Sequence, residues 1–180
     1  MHAHDFSHRR SVRLAGYNYA GPGTVFVTLC TFDRRCLFGA IAAETMHCTA
    51  IGTIASEAWA TTLVMRPELL DHGWIIMPNH MHAMVTLVTG VPEHPSASEF
   101  GKRQKGSVAS IIAGYKAAVT RQARELTGNG DLCVWQRGFH DHVVRDEQRF
   151  DAIAAYIAEN PKRWSEDKYR PTGPRGALHL

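Results

Sequence analysis

The sequence has no C-x-x-C pair, no long apolar run and no large excess of charge of either sign. Its four cysteines are scattered along the chain, at Cys30, Cys36, Cys48 and Cys133. This spacing excludes a zinc ribbon or a dithiol redox motif and favours reduced thiols. No segment approaches the roughly 18–20 apolar residues of a membrane span, and no apolar export signal follows the basic N-terminus. We therefore expect a cytoplasmic protein with no membrane partner.

The composition indicates one folded domain of ordinary polarity. The 180 residues are 44% hydrophobic and 21% charged, and the formal net charge is only +3. This length suits a single core. Most basic residues are arginine, whose planar fork matches phosphate oxygens, so the composition is compatible with a nucleic-acid partner. We predict a basic arm over residues 1–22, one domain over 23–165 and a tail over 166–180.

Periodicity predicts four strands and three helices. The strands are expected at about 24–31, 70–77, 82–89 and 139–144, and the helices at about 49–64, 107–126 and 146–160. Residues 90–106 lose this periodicity and indicate a loop. The order of elements predicts an α+β protein with a ferredoxin-like, RRM-like antiparallel sheet and two helices on one face. The extra C-terminal helix is then expected to approach the other face.

Two histidines, His80 and His82, follow the tight turn at 77–79 and open an apolar run. Side chains two apart on a strand share a face, so the two Cα atoms are expected about 6–7 Å apart. That separation suits one shared divalent cation. Partly exposed polar histidines are the ordinary alternative. His140 and His142 form a second pair with the same spacing on the predicted fourth strand.

The last predicted helix carries a second candidate feature, the pair Tyr156 and Asn160. The two residues are four apart and so lie one turn apart on one face, at the margin of the apolar stripe of the helix. That stripe comprises Phe150, Ile153, Ala154 and Ile157. The alternatives are a tyrosine that only packs and an ordinary helix stop, because Pro161 disfavours helical geometry at the preceding residue. Tyr115 is a competing phenol, expected in the core.

These two features are chemically complementary. A tyrosine hydroxyl can attack a phosphodiester when a cation polarises the phosphate and the oxygens are held in line. Two neutral imidazoles, an amide oxygen and phosphate or water oxygens suit Mg²⁺ or Mn²⁺. The free phenol titrates near pKa 10, so a neighbouring cation or base must help it to ionise.

Several sequence segments together resemble one known family. The residues Met77-Pro78-Asn79-His80-Met81-His82 resemble the HUH motif of single-tyrosine transposases. Further segments are similar to the REP-associated tyrosine transposases within that group: Arg9 to Leu14, Arg34 to Phe38, Trp135-Gln136-Arg137, Asp141 to Arg145, and Tyr156 to Pro161. The resemblance runs from about Arg9 to Tyr169, which is nearly the whole chain.

The resemblance implies a ferredoxin-like HUH nuclease fold and a role for each motif residue. His80 and His82 would be metal ligands, Tyr156 the nucleophile and Asn160 a third, polar ligand. The implied substrate is single-stranded DNA with a palindromic, REP-like hairpin. Cleavage would leave a 5′-phosphotyrosine and a free 3′-hydroxyl, and its reversal on another end would rejoin strands without ATP. A monomer or a homodimer is expected.

Candidate DNA contacts are basic or aromatic side chains near the motifs. The predicted set comprises Arg34, Arg35, Lys116, Arg121, Trp135, Gln136, Arg137 and Arg145. Arg137 and Arg145 are favoured because they flank the predicted fourth strand. Trp135 has two possible roles, stacking on an unpaired base or closing the core. Further cations lie in the arm, at Arg9, Arg10 and Arg13, in the 90–106 loop, at Lys102, Arg103 and Lys105, and at Arg124 on the second helix.

The alternative function is a non-catalytic nucleic-acid-binding module. An RRM-like sheet can bind hairpin DNA or RNA without cutting it. The co-occurrence of His80, His82 and Tyr156 favours the enzyme, because a binding module has no need to keep the three together. A structural zinc protein is disfavoured by the cysteine spacing.

Overall fold

The computed structural model describes residues 22–88 and 106–171, which form six strands, three α-helices and two short 3-10 turns. The strands are β1 (Gly23–Cys30), β2 (Gly39–Ala42), β3 (Thr45–Cys48), β4 (Leu69–Met77), β5 (His80–Leu87) and β6 (His140–Val144). The helices are α1 (Ala50–Met65), α2 (Val108–Thr127) and α3 (Glu147–Glu159). The 3-10 turns are Phe32–Arg34 and Trp164–Glu166.

The main sheet has the strand order β4-β5-β1-β6, and every neighbouring pair is antiparallel. The helices α1 and α2 connect β1 to β4 and β5 to β6, so the chain follows the ferredoxin-like β-α-β-β-α-β path. The predicted α+β, ferredoxin-like fold with an additional C-terminal helix is therefore confirmed.

Alternation along the two central strands divides the sheet into two faces. Val25, Val27 and Leu29 of β1 point to the same side as Met81 and Ala83 of β5, and they pack in the main core under α1 and α2. The intervening residues of both strands point to the opposite face. There α3 packs through Ile153 and Ile157 onto Met84. Because both histidines fall on this second face, the strand period places them beneath α3.

Each predicted helix start is confirmed by a side-chain cap. Thr49 accepts a hydrogen bond from the Gly52 N–H, Ser107 accepts one from the Ser110 N–H, and Asp146 accepts one from the Arg149 N–H. The helix α2 ends at Gly128, which takes a left-handed φ of 64°.

The hairpin of β2 and β3 was not predicted from the sequence. Its two-residue turn is Ala43-Glu44, and both residues have positive φ, 47° and 60°. Such a turn matches the twist of the strands but ordinarily uses asparagine or glycine. The sequence therefore carries no turn signal here, and each strand is only four residues long.

Two local predictions need correction. Asn160 adopts φ −55° and ψ −40°, a helical conformation, although Pro161 follows it. The helix hydrogen bonding ends there, but the backbone continues into a further turn. The strand β5 begins at His80 rather than at residue 82, because it pairs with β4 directly across the turn at Pro78-Asn79.

Some predictions fall outside the described residues. These are nearly all of the basic arm (1–21), most of the predicted loop with Lys102, Arg103 and Lys105 (89–105), and the end of the tail (172–180). Within the described ranges, no helix is long and apolar enough to cross a membrane. All four cysteines lie in these ranges and are free thiols.

The close approach of α1 to residue 38 generates a stability prediction. A Cβ at Gly52 would overlap the backbone of Phe38, whose N–H donates to the Pro78 carbonyl in the turn before His80. We expect Gly52→Ala to destabilise the protein by about 1–3 kcal/mol through this overlap. Denaturant unfolding followed by circular dichroism measures the change.

The matched control is Gly114→Ala in α2, where an added Cβ meets no atom within 4 Å. Its helical propensity should stabilise the protein by up to about 1 kcal/mol. Equal effects of the two substitutions would contradict the packing argument.

Candidate metal and nucleophile site

His80 and His82 lie side by side at the start of β5, buried beneath α3. Their exposed fractions are 0% and 1%, and their ring centroids are 4.6 Å apart. A buried imidazole needs a partner for each polar nitrogen. The hydrogen bonds of the two rings therefore reveal which nitrogens are left to bind something else.

The orientation of the His80 ring is set by Asn79. The Asn79 amide nitrogen donates to the carbonyls of Arg34 and Tyr169, so its oxygen must face the other way, toward His80 Nδ1 at 2.9 Å. An amide oxygen can only accept, so Nδ1 carries the hydrogen. The Nε2 atom is then an acceptor, and it has no hydrogen-bond partner among the described residues.

The His82 ring is also held through Nδ1. Its Nδ1 lies 2.9 Å from the Thr28 hydroxyl on β1, which leaves Nε2 facing the cleft. Burial and the charge of Lys168 lower the pKa of His82 to about 3, although a hydrogen bond to the Val27 backbone opposes this shift. Burial also lowers the pKa of His80 well below its usual range. Both rings are thus neutral near pH 7, the state in which imidazole binds metals.

The Tyr156 hydroxyl lies 3.3 Å from His82 Nε2. The helix α3 crosses the sheet so that this residue, at the margin of the apolar stripe, reaches the histidines while staying half-buried. Its ring stands edge-on to His82, with the centroids 5.2 Å apart. Partial burial raises the pKa of the Tyr156 phenol, and the neighbouring Asn160 amide and Lys168 oppose this shift. The structure therefore brings together the tyrosine and the histidine pair that the sequence separates widely.

Asp167 is a site residue that the sequence analysis missed. Its side chain is 4% exposed, and Oδ2 lies 3.8 Å from His80 Nε2. Its other oxygen accepts the Tyr169 N–H at 2.6 Å, and burial raises the pKa of this carboxyl group. Asp167 falls in the predicted C-terminal tail, residues 166–180, where the sequence analysis places no site residue. The available signal was that the resemblance extends to Tyr169.

Three acceptor atoms converge here: Nε2 of His80, Nε2 of His82 and a carboxylate oxygen of Asp167. The possible ligand atoms of these residues lie within 4.8 Å of one another. Bonds of about 2.1 Å to an octahedral cation place opposite ligand atoms about 4.2 Å apart, so only a small contraction is needed. Lone pairs facing each other in a buried cleft repel unless a cation lies between them. The donor set therefore fits a divalent metal ion.

Asn160, the predicted third ligand, is also buried at this site. It is 1% exposed, and neither atom of its amide has a hydrogen-bond partner among the described residues. A buried amide without partners costs free energy unless something else satisfies it. Its metal-binding role stays a prediction beside that of Asp167.

A cationic rim surrounds the exposed side of the site, formed by Arg34 and Lys168. Both side chains lie over the ring of Tyr169, at 5.5 and 5.0 Å from its centroid. That ring in turn lies 4.8 Å from the His80 ring. Arg34 has a left-handed φ of 53°, and its guanidinium donates to the Lys168 carbonyl. The strained backbone is held because its own carbonyl accepts the Asn79 amide.

The other predicted DNA contacts are spread over the surface. Arg137 and Arg145 are exposed at the two ends of β6, and Arg121 is exposed and pairs with Glu125 at 3.6 Å. Lys116 donates to the carbonyls of Gln136 and Gly138. Arg35 is half-buried. Of the eight predicted residues, the structure brings Arg34 against the histidine site.

Trp135 requires a correction. Its ring is 7% exposed and packs against Phe38 and Tyr115 in the main core. A base can stack only on an exposed ring face, so the role in closing the core replaces the stacking role. Tyr115, the competing phenol, is buried in the same core and donates to the Ala55 carbonyl. It lies on the face of the sheet opposite His82.

The chain is 34% identical over 170 residues to an uncharacterized protein of Haemophilus influenzae, covering 89% of this chain and 92% of that protein. The structure of the present chain is similar to that of a REP-associated tyrosine transposase bound to a REP hairpin. The TM-score is 0.58, the sequence identity is 19%, and the match covers 93% of this chain and 94% of that chain. No protein-family model matches the sequence.

A second solved structure, a protein of Deinococcus radiodurans R1 named as a candidate transposase, has a TM-score of 0.47 and 12% identity over 81% of this chain and 96% of that chain. The similarity to the REP-associated tyrosine transposase, at a TM-score of 0.58, confirms at the level of the fold the resemblance drawn from the sequence motifs.

The converging acceptors predict a measurable metal affinity. Asp167→Asn keeps the shape and the acceptor for the Tyr169 N–H but removes the charge. We expect Mn²⁺ binding to weaken at least about tenfold, because ligand charge sets affinity for a divalent cation. Isothermal titration with manganese chloride measures the affinity, and His80→Ala should abolish binding.

Asp151→Asn is the matched control, since Asp151 is exposed on α3, and it should leave the affinity unchanged. Asn160→Ala, measured in parallel, reports on the predicted amide ligand. Unchanged Mn²⁺ affinity in both Asp167→Asn and His80→Ala would exclude a cation at this position.

Proposed function

The chain belongs to one family with the Haemophilus influenzae protein and has the fold of the REP-associated tyrosine transposase, and from this premise we propose that it is a metal-dependent DNA endonuclease and strand transferase. Its substrate is single-stranded DNA that forms a palindromic, REP-like hairpin. The reaction passes through a 5′-phosphotyrosine at Tyr156. Mg²⁺ or Mn²⁺ is the proposed cofactor, held by His80 and His82 with Asp167, Asn160 or both.

One observation carries the proposal: the Tyr156 hydroxyl lies 3.3 Å from His82 Nε2. A nucleophile for a phosphodiester must sit beside the group that activates the phosphate. A binding module needs neither a buried histidine pair with both Nε2 atoms turned into a cleft nor a phenol directed at it. The same contact therefore favours strand cleavage over the alternative of a non-catalytic RRM-like module for hairpin DNA or RNA.

The residues of the chain prepare the attack. Asn79 and Thr28 hold the two imidazoles with Nε2 toward the cleft, and the rigid sheet keeps both rings in place beside the phenol. When bound, the cation supplies the charge that polarises the phosphate and favours the phenolate. Lys168, at the exposed rim, lowers the pKa of Tyr156 and so acts in the same direction.

The proposed reaction balances without an energy source. The Tyr156 phenol loses its proton and its oxygen attacks phosphorus. A P–O bond to tyrosine forms as the P–O3′ bond breaks, and the departing 3′-oxygen takes up a proton. Reversal by the 3′-hydroxyl of another strand releases Tyr156 and joins the DNA. One phosphodiester is exchanged for another in each direction, so no nucleotide is consumed.

Tyr156→Phe tests the nucleophile. We expect this variant to form no covalent adduct with a labelled hairpin DNA and Mn²⁺, because it lacks the attacking oxygen, while its affinity for the DNA stays near that of the unaltered protein. Denaturing gel electrophoresis detects the adduct, and a filter-binding assay measures affinity.

Tyr115→Phe and Tyr169→Phe are the controls. Tyr115 lies in the core across the sheet, and Tyr169 lies beside the site, so both variants should still form the adduct. Loss of the adduct in Tyr169→Phe but not in Tyr156→Phe would show that Tyr169, and not Tyr156, is the nucleophile. Hairpin binding with no adduct in any variant or in the unaltered protein would favour the binding module.

The salt dependence of binding tests the DNA partner itself. If the four exposed arginines Arg34, Arg121, Arg137 and Arg145 each neutralise one phosphate, affinity for single-stranded DNA should fall about 50-fold between 50 and 200 mM salt. Fluorescence anisotropy across a salt series gives the slope.

Arg145→Ala should reduce the slope by about 0.7, the contribution of one phosphate contact on single-stranded DNA. Arg66→Ala, beside the start of β4 at the opposite edge of the sheet and paired with Glu68, should leave it unchanged. A flat response in the unaltered protein would count against any nucleic-acid function.

A further inference from the structure

The strand β6 presents two exposed histidines on the face of the sheet that holds the candidate site. In the antiparallel register, His140 lies opposite Thr28 and His142 lies opposite Phe26 on β1. Direct partners across antiparallel strands point to the same face. Both histidines are exposed, and they are the second pair that the sequence analysis left without a role.

This face is continuous with the nucleophile. Thr28, opposite His140, bonds His82 on its other side. Phe26, opposite His142, stacks on the His82 ring with the centroids 5.0 Å apart and the planes at 25°. The same Phe26 ring stands edge-on to Tyr156 at 6.1 Å. A row of flat side chains therefore runs from the phenol across β1 to the edge strand.

The helix α3 leaves His140 and His142 exposed. It packs mainly on β4 and β5, and its apolar cluster also contacts Phe26 of β1 and Val144 at the end of β6. Among the residues that the structure describes, β6 pairs on one side alone, with β1. His140 and His142 thus form an open shelf beside the half-buried Phe26.

A second metal site is a poorer explanation for the pair. Within the described ranges, His80, His82 and Asp167 form the one cluster with metal-ligand spacing, and neither His140 nor His142 is part of it. Asp141, between them, points to the opposite face because side chains alternate. The shelf offers exposed imidazole rings rather than converging acceptors, and flat rings can stack on bases.

We propose that His142, His140 and Phe26 form a stacking shelf for the unpaired bases next to the phosphate that is cleaved. The proposal rests on the proposed function and adds to it the part of the substrate that this surface holds. Two strand spacings separate His140 from His82, about 10 Å. At a stacked rise of about 3.4 Å per nucleotide, the shelf lies within about three nucleotides of the phosphate at Tyr156.

The chemistry of the shelf indicates which contacts are made. Every base has a π-face, so stacking on aromatic rings tolerates different sequences. The exposed guanidinium groups of Arg137 and Arg145 flank the two ends of β6 and are placed for the backbone phosphates. The shelf therefore contacts bases, while the arginines at its two ends contact phosphates.

The experiment uses three forms of one DNA hairpin in the Tyr156→Phe background, where no cleavage occurs. The first is blunt, the second carries four unpaired thymidines on each end, and the third carries four abasic units on each end. We expect His142→Ala to weaken binding of the thymidine-tailed hairpin by about tenfold, which is the loss expected for one stacked base. Binding of the blunt and abasic forms should not change.

Two further variants separate stacking from other roles. His142→Phe restores a flat ring and should restore binding of the thymidine-tailed hairpin. His47→Ala removes an exposed histidine from β3 and should change nothing. Mn²⁺ affinity should be unaffected in all three variants.

The outcomes distinguish this inference from the proposed function. If the thymidine tails add no affinity, or if His142→Ala affects all three hairpins equally, the shelf does not bind bases. Failure of His142→Phe to restore binding would also overturn it. Adduct formation by the protein with Tyr156 intact reports on strand cleavage separately, so either idea can fail alone.

Discussion

The arrangement of the site depends on three buried polar atoms that converge, Nε2 of His80, Nε2 of His82 and a carboxylate oxygen of Asp167, with the Tyr156 hydroxyl beside His82 Nε2. Asn79 fixes the hydrogen of His80 on Nδ1, and the Thr28 hydroxyl bonds Nδ1 of His82, so the Nε2 atoms of both rings point into the cleft toward Asp167. Burial keeps both rings neutral, and a cation relieves the repulsion. The three residues could therefore hold a metal ion.

This constraint links distant parts of the chain. Asn79 can orient His80 because its amide nitrogen donates to carbonyls of Arg34 and Tyr169, which belong to the segment after β1 and the segment after α3. The turn that holds Asn79 is itself anchored where the Pro78 carbonyl accepts the Phe38 N–H beneath α1. The site is thus supported from both faces of the sheet. The same packing leaves His140 and His142 of β6 exposed on the face that holds the phenol.

Secondary structure was largely predictable because it follows local rules. The predicted helices begin at the caps Thr49, Ser107 and Asp146 and end near their predicted limits, and the four strands of the main sheet appear within two residues of the predicted bounds. The hairpin of β2 and β3 was missed because Ala43 and Glu44 do not look like turn residues. The predicted backbone conformation of Asn160 was wrong because the packing of its buried side chain outweighs the preference of a residue before proline for extended geometry.

The sequence alone determined that His80 and His82 share a face, since a strand has a period of two, and that Tyr156 lies at the edge of an apolar helix stripe. It also carried the motifs that resemble one family. Only the tertiary structure decided that the phenol meets His82, that Asp167 joins the cluster, and that Trp135 is buried while His142 is exposed. These are contacts between residues 74, 87 and more positions apart, or consequences of which sheet face α3 covers. No local pattern encodes them, because they depend on how the whole chain closes around its core.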